Sequence, residues 1–404
     1  MTPAEFSQRD LAPPVAVLQR WRSRALVVGI AGGILTIVGA FTSPDEMLRG
    51  YLMGFLVCLS LALGSMGWLM VGHLTGGNWW MLGRRVFEAA AKTLPLVTAM
   101  FIPILLGMHR LYLWTHPDAV AGDKDLMAKA FYLNTPTWIL RAVIYFVLWN
   151  VLAYLLTRWS AAQDVDESPA VWRRLKQIAA PGLILYAFSL NFAATDWVMS
   201  LDPHWFSTMY GLLFVAWHLL GTMALLICML VLLARFSPMN EVIRPDRLHD
   251  CGKLLLTLTM VWAYFSFSQW LIIWEGNLPD ETFWYLVRIR GGWQIVALML
   301  VILQFALPFA LLLSRDLKRD ARKLVPVALL VLFMRFVDAY WLVAPNPMPG
   351  PQHEHIYFHW TFVTAPLALV GLWFAFFAWN LARRPLLVRN EPQLARLWES
   401  SHAH

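Results

Sequence analysis

The chain has 404 residues, of which 59% are apolar by type and 14% charged, with a formal net charge of +7 and a mean hydropathy of +0.55. Soluble domains run at about 45–50% apolar and about 25% charged, so a disordered chain, a secreted disulfide scaffold and an ordinary cytosolic enzyme are excluded. The isolated cysteines Cys58, Cys228 and Cys251 form no CxxC or CxxCH. Zinc, four-Cys iron–sulfur and covalent haem sites therefore find no support, and no metal ligand set is predicted.

A helix needs about 20 mostly apolar residues to cross a bilayer, and ten stretches qualify. The first, 25–42, follows Arg20, Arg22 and Arg24 without a convincing cleavage site, and reads as an uncleaved anchor. The second covers 50–74. The third, 93–114, opens beside the i, i+4 pair Glu88 and Lys92 and ends at His109 and Arg110. That pair is either a surface salt bridge or the mouth of a proton path. The fourth, 137–157, is entered by Arg141, which either snorkels outward or meets an acid such as Asp196.

The fifth, 177–197, ends at Asp196, which has no cation within a turn of its own helix. Alone in a low dielectric it would gain proton affinity, as a proton acceptor needs; in the headgroup zone it would be an end cap. The sixth, 207–234, holds His218 at bilayer-centre depth, either a proton relay, a quinone contact or a satisfied core histidine. His109 and His359 lie too near the outer surface to complete a bis-histidine haem with it. On the seventh, 253–274, Lys253, Thr257, Tyr264, Ser268 and Glu275 recur on one helical face over about 33 Å. They are one wall of a proton path, or two interfacial charges with hydroxyls bonded to backbone. The eighth covers 292–314. The ninth, 323–343, holds Arg335 and Asp338 three residues apart, a buried pair with a relay role or a purely structural one. The tenth covers 358–382.

The amino-terminal segment, every second loop and the tail hold 24 of the 32 Lys and Arg; the opposite loops hold 6. The positive-inside rule then predicts both termini in the cytoplasm. The third and seventh spans both run from a lysine to a tryptophan, Lys92 to Trp114 and Lys253 to Trp274. The fifth and ninth share an early proline and an aspartate before aromatics, Pro181 with Asp196-Trp197 and Pro326 with Asp338 through Trp341. The expectation is an all-α integral membrane protein of two pseudo-symmetric four-helix bundles plus two peripheral helices. Its parts are a cytoplasmic segment 1–24, a peripheral helix in 25–49, bundles at 50–197 and 198–343, an outer loop with a peripheral helix at 344–382, and a tail at 383–404.

Four strings are distinctive: HLTGGNWWMLGRRVFEAA at 73–90, TDWVMSLDPHWFSTMYG at 195–211, HDCGKLL at 249–255 and WAYFSFSQWLIIWEGNLPDETFWY at 262–285. With ten spans and no soluble domain, the chain resembles the second NrfD-like and polysulfide-reductase-like quinone-type membrane subunit of bacterial alternative complex III. The resemblance covers nearly the whole chain. It implies a subunit of a quinol:cytochrome c or quinol:oxidase oxidoreductase in the bacterial cytoplasmic (inner) membrane, not catalytic alone. Implied partners are a sister NrfD-like membrane subunit, multihaem and monohaem c-type cytochrome subunits, a large periplasmic iron–sulfur subunit, small membrane subunits, lipids and a terminal oxidase. Haem c and the iron–sulfur clusters would reside in those partners; quinol or menaquinol is the ligand implied for the membrane part.

On this reading Asp196, His218, Lys253, Thr257, Tyr264, Ser268, Glu275, Arg335, Asp338, Glu88 and Lys92 are proton-path candidates. His109, Arg141 and Asp196, at similar depth, are quinone-site candidates. A self-sufficient proton-coupled transporter and an inert anchor for periplasmic redox subunits stay open as other readings.

Overall fold

The computed structural model of the chain describes residues 11–166, 168–347 and 355–391. Parts of the predicted cytoplasmic segment and outer loop, and most of the predicted tail, lie outside the described residues. Among those described, every regular element is helical. Ten helices are long and apolar enough to cross a membrane: α1 Val15–Thr42, α2 Pro44–Thr75, α3 Asn78–Leu106, α4 Thr135–Gln163, α5 Pro169–Leu201, α6 Tyr210–Leu233, α7 Pro245–Gly276, α8 Trp293–Leu313, α9 Ala321–Val343 and α10 Thr361–Leu381. In hydrocarbon each backbone N–H and C=O must be satisfied within the segment, which leaves the helix as the economical form for such sequences.

The ends follow local chemistry. Pro44 fits the first turn of α2, where Asp45 and Glu46 face the positive end of the dipole. The Asn134 side chain accepts from the Thr137 N–H to start α4, and Asp320 accepts from Arg322 to start α9. Asn277, at φ +46°, ends α7 in the left-handed region.

Several boundaries differ from the sequence reading. α1 begins at Val15, so Arg20, Arg22 and Arg24 lie on its first turns, and α2 begins at Pro44, not at 50. The largest change is at 78–91, expected as a loop for its charges. It is a buried helix, because Arg84, Arg85 and Glu88 pair with one another instead of with water. α3 is then interrupted near Thr93, Phe101 and Gly107, where Pro95 and Pro103 remove backbone donors. In α8 the turns widen to a π-helix over Leu300–Ala306 just before Pro308, whose ring would otherwise clash with the carbonyl of Gln304.

α2 and α6 are the inner helices, with 94% and 78% of their apolar windows buried, against 17% for α1. They pack on each other, and α2 also meets α3, α5, α9 and α10, while α6 also meets α5, α7 and α9. At their crossing Gly64 lies directly on the His218 carbonyl and the Thr222 hydroxyl, leaving no room for a Cβ. α1 and α10 pack backbone to backbone: a Cβ on Gly371 would lie 2.6 Å from the Gly29 nitrogen, and one on Gly32 would lie 2.7 Å from the Ala368 nitrogen. Small residues are what allow such van der Waals packing in lipid, where no hydrophobic force joins helices. Beside that seam the Leu386 N–H donates to the Leu11 carbonyl at 3.0 Å, so the described chain ends meet at one end of the molecule.

Candidate functional site

Polar side chains inside the spans collect in separate places. In the α2–α5 half, Asp196 is fully buried at the end of α5, and Arg141 reaches it from α4 with Nε and Nη2 at 2.8 and 2.9 Å from its two oxygens. The Tyr145 hydroxyl donates to the same carboxylate at 2.9 Å, and Arg141 also donates to the Tyr132 carbonyl at 3.0 Å and stacks over its ring. Of the two readings open for Arg141, the meeting with Asp196 is the one found, so the aspartate is not solitary. A bidentate guanidinium and a phenol give the carboxylate three hydrogen bonds and hold it as an ion pair.

The α6–α9 half is different. Arg335 and Asp338 lie within one turn of α9, both buried, with Arg335 Nη1 3.5 Å from the Asp338 carboxylate. None of the three guanidinium nitrogens has a hydrogen-bond partner among the described residues. The Arg335 guanidinium lies over the Trp217 ring of α6 and the Trp262 ring of α7, at 5.5 and 5.6 Å from their centroids. His218, also fully buried, gives Nδ1 to the Phe214 carbonyl at 2.7 Å, while its Nε2 has no partner among the described residues. Gln304, in the π-turn of α8 that packs on α9 and α7, is fully buried with both amide atoms likewise unpartnered.

At the end of the molecule holding the chain ends, Glu88 is gripped by Arg84 at 3.0 Å and Arg85 at 2.6 Å. Arg84 continues to Ser160 and Gln163, both at 2.8 Å, and to Glu391 at 2.9 Å; Ser160 also bonds Glu88, and Arg85 bonds Asp164. The predicted Glu88–Lys92 pair does not form. Lys92 instead lines a cavity of about 10 Å³ with Arg85, Glu88 and Arg384, room for a single water.

The seventh-span stripe is real as a face, but it points away from the bundle. Lys253, Thr257, Tyr264 and Glu275 are exposed and Ser268 is half-buried. Lys253 pairs with Asp250, and the Thr257 hydroxyl donates to the Lys253 carbonyl. The interior face of α7 instead carries Thr259, Trp262 and Gln269. The quinone-site candidates are not gathered either: His109 is exposed and its carbonyl meets His116, whereas Arg141 and Asp196 are committed to each other. A groove of about 330 Å³ does open on the outer side of α3 and α4, lined by Thr98, Phe101, Ile139, Ala142, Phe146 and Asn150.

Sequence reading missed one further cluster, at the end opposite the chain ends. Arg288 is buried above the Trp284 ring, 3.5 Å from its centroid, and donates to Asn346 at 2.7 Å. Its charge acts on Asp202, which is buried between α5 and α6. Burial raises the Asp202 carboxyl above its usual range, against the opposing pull of Arg288, His204 and Lys129. No group of three His, Cys, Asp or Glu able to hold a metal occurs among the described residues. No family model matches the chain, and no curated protein is similar enough to it to count as a relative.

Proposed function

We propose that this chain is a membrane subunit of a quinol-oxidising respiratory complex of the alternative complex III type, and that it conducts protons through its α6–α9 half. The observation that carries the conduction reading is the unpartnered interior of that half. Arg335, Asp338, His218 and Gln304 place buried polar atoms in hydrocarbon that no hydrogen bond from the described residues completes. Each such group costs free energy unless a hydrogen-bonding partner such as water completes it. Intramembrane ionisable residues of this kind mark proton and ion routes. Quinol oxidation releases protons, and a polar file is the physical means to move them through hydrocarbon.

In this reading α2–α5 and α6–α9 are repeated bundles, both chain ends face the cytoplasm, and the protein resides in the bacterial cytoplasmic membrane. Electron transfer belongs to partners: a sister NrfD-like subunit, c-type cytochromes and an iron–sulfur subunit. A quinol, where bound to this chain, suits the apolar groove between α3 and α4 better than the Arg141–Asp196 pair, whose hydrogen bonds are already used. The exposed polar and aromatic face of α7 suits a neighbouring membrane subunit better than lipid.

The test is reconstitution of the full chain in vesicles with a pH-sensitive dye and a potassium diffusion potential. The expected result is a proton flux above empty vesicles that Asp338→Asn lowers by about tenfold or more. No flux, or a flux indifferent to Asp338, Arg335 and His218, would overturn the reading. Copurification with haem-bearing partners tests the assembly separately.

A further inference from the structure

We infer that Asp202, His204 and Asp123 form the relay through which protons leave the α6–α9 half at the face opposite the chain ends, with His204 as the carrier. The inference rests on the conduction reading above and supplies its outer exit.

The geometry runs from inside outward. Asp202 is 3% exposed, and its Oδ1 has no hydrogen-bond partner among the described residues. His204, two residues on, has Nδ1 4.0 Å from that Oδ1, a gap that a small rotation of either side chain closes. The other ring nitrogen, Nε2, is 2.6 Å from Asp123 Oδ2, carried on the loop between α3 and α4. Asp123 is also the N-cap of Lys124–Lys129, accepting from the Asp125 and Leu126 N–H groups, which fixes its position. The His204 and Asp123 side chains are 34% and 31% exposed, so the relay reaches the surface of the chain. Inward, Trp205 stacks on the Trp284 ring that Arg288 covers and meets buried Tyr210 at the start of α6, which sets the cluster against the α6–α9 interior.

The charged groups facing Asp202 are Arg288, His204 and Lys129; Lys129 also fixes the turn by donating to the Pro203 carbonyl at 2.6 Å. The two carboxyls are poised in the useful order. Burial raises Asp202, so it accepts a proton from within. The His204 hydrogen bond lowers Asp123, so it passes a proton on to water and does not keep it. The transfer balances. The Asp202 carboxyl gives its proton to Nδ1 of neutral His204, making imidazolium; the Nε2 proton crosses to Asp123 Oδ2; Asp123 releases it outside. A ring flip then turns the protonated Nδ1 toward Asp123 and the bare Nε2 toward Asp202, which restores a donor facing out and an acceptor facing in for the next transfer.

The test uses the full chain in vesicles, as above. His204→Ala and Asp202→Asn are each expected to lower flux by about tenfold, and Asp123→Asn by about twofold. Imidazole added on the outer side is expected to restore most of the His204→Ala flux, a rescue that a merely structural histidine would not show. Flux that is sensitive to Asp338→Asn yet unchanged in His204→Ala overturns the relay and leaves the conduction reading standing. Absence of flux in the wild-type chain overturns both. Loss of flux in His204→Ala without imidazole rescue overturns the carrier role.

Discussion

Two of the arginine–aspartate pairs among the described residues, Arg141–Asp196 and Arg335–Asp338, are opposites. Arg141 and Asp196 come from different helices, meet bidentately, and have a tyrosine on the same carboxylate. Arg335 and Asp338 come from one helix, stand 3.5 Å apart, and leave every guanidinium nitrogen without a hydrogen bond among the described residues. The same two residue types thus serve as a clasp where both oxygens of the carboxylate are hydrogen-bonded. Where they are not, the pair keeps polar atoms that no hydrogen bond from the described residues completes. Hydrogen-bond completion, more than charge or burial, separates the two.

That contrast can be broken by substitution. Asp196→Ala strips the clasp and leaves Arg141 unpaired, so it should lower stability by about 3–5 kcal/mol, read from thermal unfolding in mild detergent. A loss near zero would erase the distinction between the pairs. Gly64→Ala forces the α2–α6 crossing apart at the His218 carbonyl and should cost about 1–3 kcal/mol. If that variant also lowers proton flux, the two halves share one interior. Asp338→Asn should cost about 1–2 kcal/mol, since it removes attraction while Arg335 keeps its place over two indoles. Its signature is a large loss of flux at small cost in stability, the reverse of Asp196→Ala.

The smallest effect is expected from pH. Asp202 has its carboxyl raised by burial above the ordinary 3.8. Below that value both folded and unfolded chains hold the proton, and the group makes no difference. As pH rises through it the unfolded chain ionises first, so folding loses stability until the folded carboxyl also ionises. Asp202→Asn should therefore unfold at a slightly higher temperature than wild type near pH 7, with the gap closing as pH falls below the ordinary carboxylate range. A gap that widens on acidification would contradict the burial assigned to Asp202.

The spans were legible because hydrocarbon imposes length and apolarity on every crossing helix. Helical period showed that Lys253, Thr257, Tyr264, Ser268 and Glu275 share a face. It carries no information on which way that face turns, and here it turns outward. Charge in 78–91 read as loop because composition cannot register that Arg84 and Arg85 are paired by Glu88, Asp164 and Glu391. The meeting of Arg141 with Asp196 was one of two readings open in the sequence, and how α4 and α5 cross decides between them. Asp123, His204 and Asp202 escaped notice because they meet only through folding, across a separation of 81 positions between the first two. The π-turn around Gln304 has its cause in Pro308, but a proline in a span signals only a disturbance and not its shape.

The glycine seam between α1 and α10 has a consequence for biogenesis. α1 leaves the ribosome hundreds of residues before the helix that covers it, and until α10 arrives Gly29 and Gly32 lack the backbone they lie against in the folded chain. Closure of that seam is therefore among the late events of maturation, and a chain halted before α10 would carry an unmated amino-terminal helix. Membrane quality control would have a physical mark by which to tell an unfinished copy from a finished one.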